Sequence, residues 1–179
     1  MTARRYRAAC GHNDAVKTLY LLRHAKSSWD DPGIPDRERV LAPRGRKASK
    51  RIASHLDREA IRPELVLCSP ARRTRETLDR IGDALGAPKV VFDEQLYGAD
   101  VGELLSRLRE VPDRFGSVML VGHNPGIADL LALLAADRSS LPGEVPTGAL
   151  ATLSVPVDDW AELAPESARL DAFVVPREL

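Results

Sequence analysis

Only two cysteines, Cys10 and Cys68, occur in the 179 residues of this chain, and they sit in unrelated contexts. That is too few for a disulfide framework, and such cysteine usage suits a reducing cytoplasm. Net charge is also missing, because 26 basic residues face 26 acidic ones. No overall field draws the protein to nucleic acid or an anionic membrane, so any anion site is local. No apolar run approaches the ~20 residues of a spanning helix. The N-terminal segment has no apolar core of the kind a secretory signal carries. Internal repeats and low-complexity linkers are absent as well, so one domain is expected.

What is present is enough for a core, since 44% of the residues are hydrophobic. Residues 1–16 are basic through Arg4, Arg5 and Arg7 and read as a flexible tail. The domain is expected over 17–179. Lys17 to Arg23 is nearly all apolar from Leu19 to Leu22, the pattern of a parallel strand covered on both faces. Asp, Pro and Gly crowd the stretch from Trp29 to Val40, which predicts a loop. From Pro43 to about Ala60, Ala48, Ile52, Ala53 and Leu56 recur at helical spacing. Leu65 to Cys68 forms a second strand. Ser69-Pro70 then reads as a helix start, serine as cap and proline first in the helix, running to about Leu85. Lys89 to Phe92 and Ser117 to Val121 are strands three and four, separated by a helix over Val101 to Val111. After Gly122-His123-Asn124-Pro125-Gly126 comes an apolar helix, Ile127 to Ala136. Leu150 to Val157 and Ala168 to Val175 look like a closing antiparallel edge, with a turn or short helix at Asp158 to Leu163.

Strands alternating with helices imply an α/β fold, a three-layer α/β/α domain with a mainly parallel sheet. Ligands in such sheets bind beyond the carboxyl ends of the strands. Strand one ends at Arg23-His24, strand two runs into Ser69-Pro70-Ala71-Arg72-Arg73-Thr74, and strand four ends at Gly122-His123-Asn124-Pro125. Two arginines can clamp phosphoryl oxygens through charge-assisted, bidentate bonds. One histidine can attack phosphorus while the other donates to the transferring group, a scheme that needs no metal and no cofactor.

These motifs resemble those of the histidine phosphatase superfamily, also called the phosphoglycerate mutase-like family. The resemblance rests on Arg23-His24-Ala25, on Ser69-Pro70 followed by Arg73 and Thr77, and on Gly122-His123, in family order. Arg-His-Ala-Lys-Ser-Ser-Trp and the Gly-His-Asn-Pro turn are similar to the small phosphohistidine phosphatase branch of the SixA type. The resemblance implies a phosphoglycerate mutase-like fold, with His24 as a nucleophile that becomes phosphorylated and Arg23, Arg73 and His123 as the phosphate pocket. It implies a hydrolase acting on phosphohistidine proteins or small phosphomonoesters, as a monomer or weak homo-oligomer. A phosphomutase or sugar-phosphate phosphatase, or a non-catalytic binder of phosphoproteins, are the rival readings. Arg72 would lie at the rim or on the surface. Asp30 falls where larger relatives place a phosphate-touching asparagine, so it is a substrate-binding candidate. Larger relatives take a proton from a glutamate after strand three; Asp93, Glu94, Asp100 and Glu103 are the acids available, with Glu94 the first choice as general acid.

Only about twenty residues separate Tyr97 from Val118, too few for a capping insert, so an open site is expected. Cys10-Gly11-His12 lacks a second ligand pair and is not read as a metal site. Trp29 is expected either to wall the pocket or, in preference, to plug its loop against the core, Cys68 to be a buried structural thiol and His55 to sit at the surface. Arg44, Arg46, Lys47, Lys50 and Arg51 make a basic helical face that is either solvated or a dock for an acidic partner.

Overall fold

The computed structural model describes residues 16–179. Of the tail expected over 1–16, residues 1–15, with Cys10 and His12, lie outside the described residues, and Val16 already belongs to the first strand. Six strands form one sheet in the order β3-β2-β4-β1-β5-β6. They are β1 (Val16–Arg23), β2 (Leu65–Cys68), β3 (Lys89–Phe92), β4 (Ser117–Gly122), β5 (Leu150–Pro156) and β6 (Arg169–Val174). The first four are mutually parallel where they pair, while β5 runs antiparallel to β1 and β6 antiparallel to β5. The expected antiparallel edge is therefore present.

Side chains of successive strand residues point to opposite faces, and here each face has its own core. Leu19 and Leu21 of β1, Leu65 and Leu67 of β2, and Val118 and Leu120 of β4 pack on one side. They meet Leu104 and Leu108 of α3 (Val101–Arg109) and Leu130 and Leu134 of α4 (Gly126–Leu134). Leu22, Val66, Cys68, Met119 and Val121 face the other side, against Ile52 and Leu56 of α1 (Pro43–Arg58) and Leu78 and Ile81 of α2 (Arg72–Ile81). Each such leucine, fully buried, stabilises by about 2 kcal/mol. Among the described residues no helix is long and apolar enough to cross a membrane.

Three expectations need correction. Helix α2 starts at Arg72, capped by Ala71, rather than at Pro70. The Ser69 hydroxyl is taken by His123 Nε2 at 2.8 Å and the Ser69 carbonyl by Thr74 Oγ1 at 2.7 Å, so the serine is not a cap. The same helix ends at Ile81 and continues as a 3-10 turn, Gly82–Leu85, instead of remaining α-helical to Leu85. Trp29 does not plug the core: it is 72% exposed, with the Arg39 guanidinium stacked 3.0 Å from its ring centroid.

Candidate active site

Three adjacent parallel strands deliver the key residues. Arg23 on β1 is in register with Gly122 on β4, and Cys68 on β2 with Val121 on β4. The next residue of each chain segment, His24, His123 and Ser69, therefore emerges at the same carboxyl edge. His24 N donates to the Gly122 carbonyl and Ser69 N to the Val121 carbonyl, both at 3.0 Å, extending the ladder one step. The imidazoles of His24 and His123 end with ring centroids 5.1 Å apart.

The tautomer of His24 is set by its neighbour. Nδ1 lies 2.7 Å from the Ala25 carbonyl, which can only accept, so Nδ1 carries the proton and Nε2 keeps its lone pair. Ala25 N in turn donates to Thr77 Oγ1 at 3.1 Å, and that hydroxyl donates to the Arg73 carbonyl at 2.6 Å. Thr77 thus ties α2 to the loop after β1. Gly148 closes the other side, donating to the carbonyls of both Arg23 and His24; its φ of +80° is one that L side chains rarely adopt.

Both histidines are buried away from water and lose basicity for that reason first. Burial pushes His24 down to about 3, opposed by its bond to the Ala25 carbonyl and reinforced by His123, Arg73 and Arg23. His123 falls to about 4 through burial, then Arg73, with Asp36 opposing and Arg23 adding to the fall. The neutral His24 imidazole lines a cavity of about 190 Å³ whose wall also includes Arg23, Asp36 and Arg73, and His123 stands directly behind it. Arg23 Nη1 donates to the Val145 carbonyl at 2.8 Å, which also accepts from Asn124 Nδ2 at 3.1 Å. Arg23 Nε and His123 Nδ1 are buried with no partner among the described residues. Arg23 Nε is thus a fixed and unspent donor, of the kind that holds an oxyanion.

The structure thus brings Arg23, His24, Arg73 and His123 together. It does not bring Asp30 or Glu94 into the cavity wall. Asp30 accepts from Ser28 Oγ at 2.7 Å on an exposed loop, and Glu94 is ion-paired with Arg37 at 2.6 Å at the surface. Asp93 pairs with Arg107 and caps Gln95 N, while Asp100 and Glu103 form the capping box of α3. Arg72 pairs with Glu76, away from Arg73. The carboxylate in the site is Asp36, which sequence reasoning missed. It lies in a 3-10 turn, Asp36–Glu38, inside the expected loop, and accepts from Arg73 Nη2 and the Tyr97 hydroxyl, both at 2.9 Å. Nothing in the sequence separates Asp36 from Asp30 or Asp31 in the same loop. Tyr97 was missed too, and its ring meets His123 edge-on at 5.7 Å. Cys68 is buried and its thiol is pushed up to about 12 by burial first, as suits a structural thiol.

The model of the histidine phosphatase superfamily (branch 1) matches residues 19–125. The chain belongs to the histidine phosphatase superfamily. As a member it is a hydrolase of the phosphatase class, on the α/β fold that family shares. An uncharacterized protein of Mycobacterium tuberculosis is 36% identical over 163 residues, covering 87% of this chain and all of that protein. The phosphohistidine phosphatase SixA of Escherichia coli is 29% identical over 144 residues, 76% of this chain and 84% of its own length. A structure from Nakamurella multipartitia, assigned as phosphohistidine phosphatase SixA, superposes with a TM-score of 0.79 at 31% identity, covering 90% of this chain and 96% of that one.

Proposed function

We propose that this histidine phosphatase hydrolyses phosphohistidine on proteins, and with them aryl phosphates, through a phosphorylated His24. The observation that carries this reading is that the carboxylate in the cavity wall is held as an anion. Burial alone would raise Asp36, but hydrogen bonds from Tyr97 and Arg73 keep its carboxyl below the usual range. An ionised carboxylate has no proton to give an alkoxide, whereas an imidazole or phenolate leaves with little help.

The sequence of steps follows from the tautomer. His24 Nε2 attacks phosphorus, the bond to the leaving nitrogen or oxygen breaks, and the electron pair departs with it. Arg23, Arg73 and His123 bind the oxygens whose charge grows in the transition state. Water then attacks the phosphoryl group on Nε2, and inorganic phosphate leaves with His24 neutral again. Among the described residues only a 3-10 turn (Glu94–Leu96) and α3 lie between β3 and β4, so no capping insert stands there. That openness supports a side chain presented by a folded protein. Cysteine usage supports the cytoplasm as its compartment.

Turnover of a phosphohistidine peptide beside a phosphoserine peptide and an aryl phosphate tests the reading. The first and third are expected to release phosphate, and the second to do so at least about a hundredfold more slowly. Equal rates on phosphoserine would overturn the substrate assignment.

A further inference from the structure

Beside the catalytic cavity lies a second one of about 350 Å³, and the two share Lys26 and Thr147 as walls. In a chain whose charges balance, its lining carries five cations and no carboxylate: Lys26, Arg44, Lys47, Arg51 and Arg177. Arg44, Lys47 and Arg51 follow one another at spacings of three and four, so they share one face of α1. Among the described residues Lys26, Arg44 and Lys47 form no ion pair. Arg51 donates to the Pro176 carbonyl at 3.0 Å, and Arg177 is ion-paired with its neighbour Glu178 at 3.6 Å.

These cations are also badly placed for the helix that bears them. The first turn of α1 has no acidic residue, and Arg44, Arg46 and Lys47 stand at the end where the macrodipole favours anions. Cations three and four residues apart repel as well. An anion in the groove relieves both strains. Ala48, Val175 and Pro176 give the groove an apolar floor, which fits the stem of an aspartate or glutamate and its backbone better than a bare inorganic ion.

The groove is rigidly tied to the phosphoryl site. Ala42 N donates to the Lys26 carbonyl at 2.9 Å, and a Cβ on Gly45 would collide with that same carbonyl. The start of α1 is thereby pinned two residues beyond His24. A fixed separation permits recognition of two groups at once.

We propose that this groove docks a carboxylate-bearing segment of the protein substrate, next to the phosphorylated residue; the inference rests on the phosphatase reading above. Two phosphohistidine peptides test it, one with Asp and Glu on both flanks and one with Ser and Gln in their place. At low salt the wild type is expected to favour the acidic peptide by about tenfold in kcat/KM, and raised salt to shrink the preference. The Arg44→Ala/Lys47→Ala variant should lose most of it, to about twofold, while its aryl phosphate turnover stays at wild-type level and its melting temperature is no lower, since the two cations oppose the helix dipole. Peptides hydrolysed equally by the wild type, or a preference kept in full by the variant, would overturn the docking site and leave the phosphatase reading standing. Failure on both peptides and the aryl phosphate would instead remove that reading, and the docking site with it.

Discussion

Arg73 is already engaged by a carboxylate: its Nη1 donates to the Asp36 carbonyl at 2.6 Å and its Nη2 to the Asp36 side chain at 2.9 Å. The guanidinium is buried and the carboxylate more than half exposed. A phosphoryl group that takes Nη2 must displace Asp36, while the carbonyl bond can stay and keep Arg73 aimed. Asp36 therefore acts as a positioning residue and a mild competitor for anions.

The competition predicts the behaviour of Asp36→Asn. A half-exposed ion pair is worth up to about 1 kcal/mol, so inhibition by inorganic phosphate or vanadate should tighten by up to about fivefold. Measured inhibition constants that stay unchanged would show that Asp36 does not contest the phosphate position.

Arg73 itself should tolerate no exchange of cation. Lysine carries the charge but not the planar fork, so Arg73→Lys is expected to lower kcat/KM by about a hundredfold on every substrate. Steady-state kinetics on an aryl phosphate measure this directly, with Arg72→Lys expected to stay within about twofold.

The histidines predict an acid-sensitive fold. Both lose basicity on folding, from the ordinary 6.5 to about 3 for His24 and about 4 for His123. The unfolded chain therefore binds protons that the folded chain refuses, and stability falls as pH drops from about 6.5 towards those folded values. Denaturant melts between pH 7 and 4 should show this slope, reduced in His24→Gln; parallel curves for the two proteins would contradict it. Because the folded His24 is already neutral at pH 7, kcat/KM should not be cut off by its protonation near pH 6.5.

Trp29 separates surface from core. Being mostly exposed and stacked on Arg39, it should cost at most about 1 kcal/mol when changed to alanine, against the 3–5 kcal/mol typical of a buried aromatic. Thermal melting of Trp29→Ala decides between the two.

The layered fold was legible because buried parallel strands are short apolar runs and amphipathic helices repeat every three or four residues. Leu19–Leu22, Leu65–Cys68 and Ser117–Val121 carry that signal plainly. Arg23, His24, Arg73 and His123 were legible as a group because each lies at or shortly after the carboxyl end of a strand, and the family motif separates Arg73 from Arg72. Asp36 and Tyr97 were not, since a loop carboxylate reaches the site through backbone turns that no periodicity encodes. Ser69 misled for a related reason: serine before proline is a common cap signal, but here the hydroxyl is spent on His123. Of the two places open to Trp29 it takes the cavity wall rather than the core, because Arg39 offers its ring a partner there. The basic face of α1 is visible as charge, but its closeness to His24 depends on the packing of Lys26 against Gly45, which no periodicity encodes.

The central claim is the phosphoryl group on His24, and trapping it is the most direct test. Wild-type protein mixed with a phosphohistidine peptide and quenched within the first turnover should carry an acid-labile, alkali-stable phosphoryl group that peptide mapping places on His24. His24→Ala should carry none and release no phosphate. A label on another residue, or wild-type activity in His24→Ala, would contradict the account.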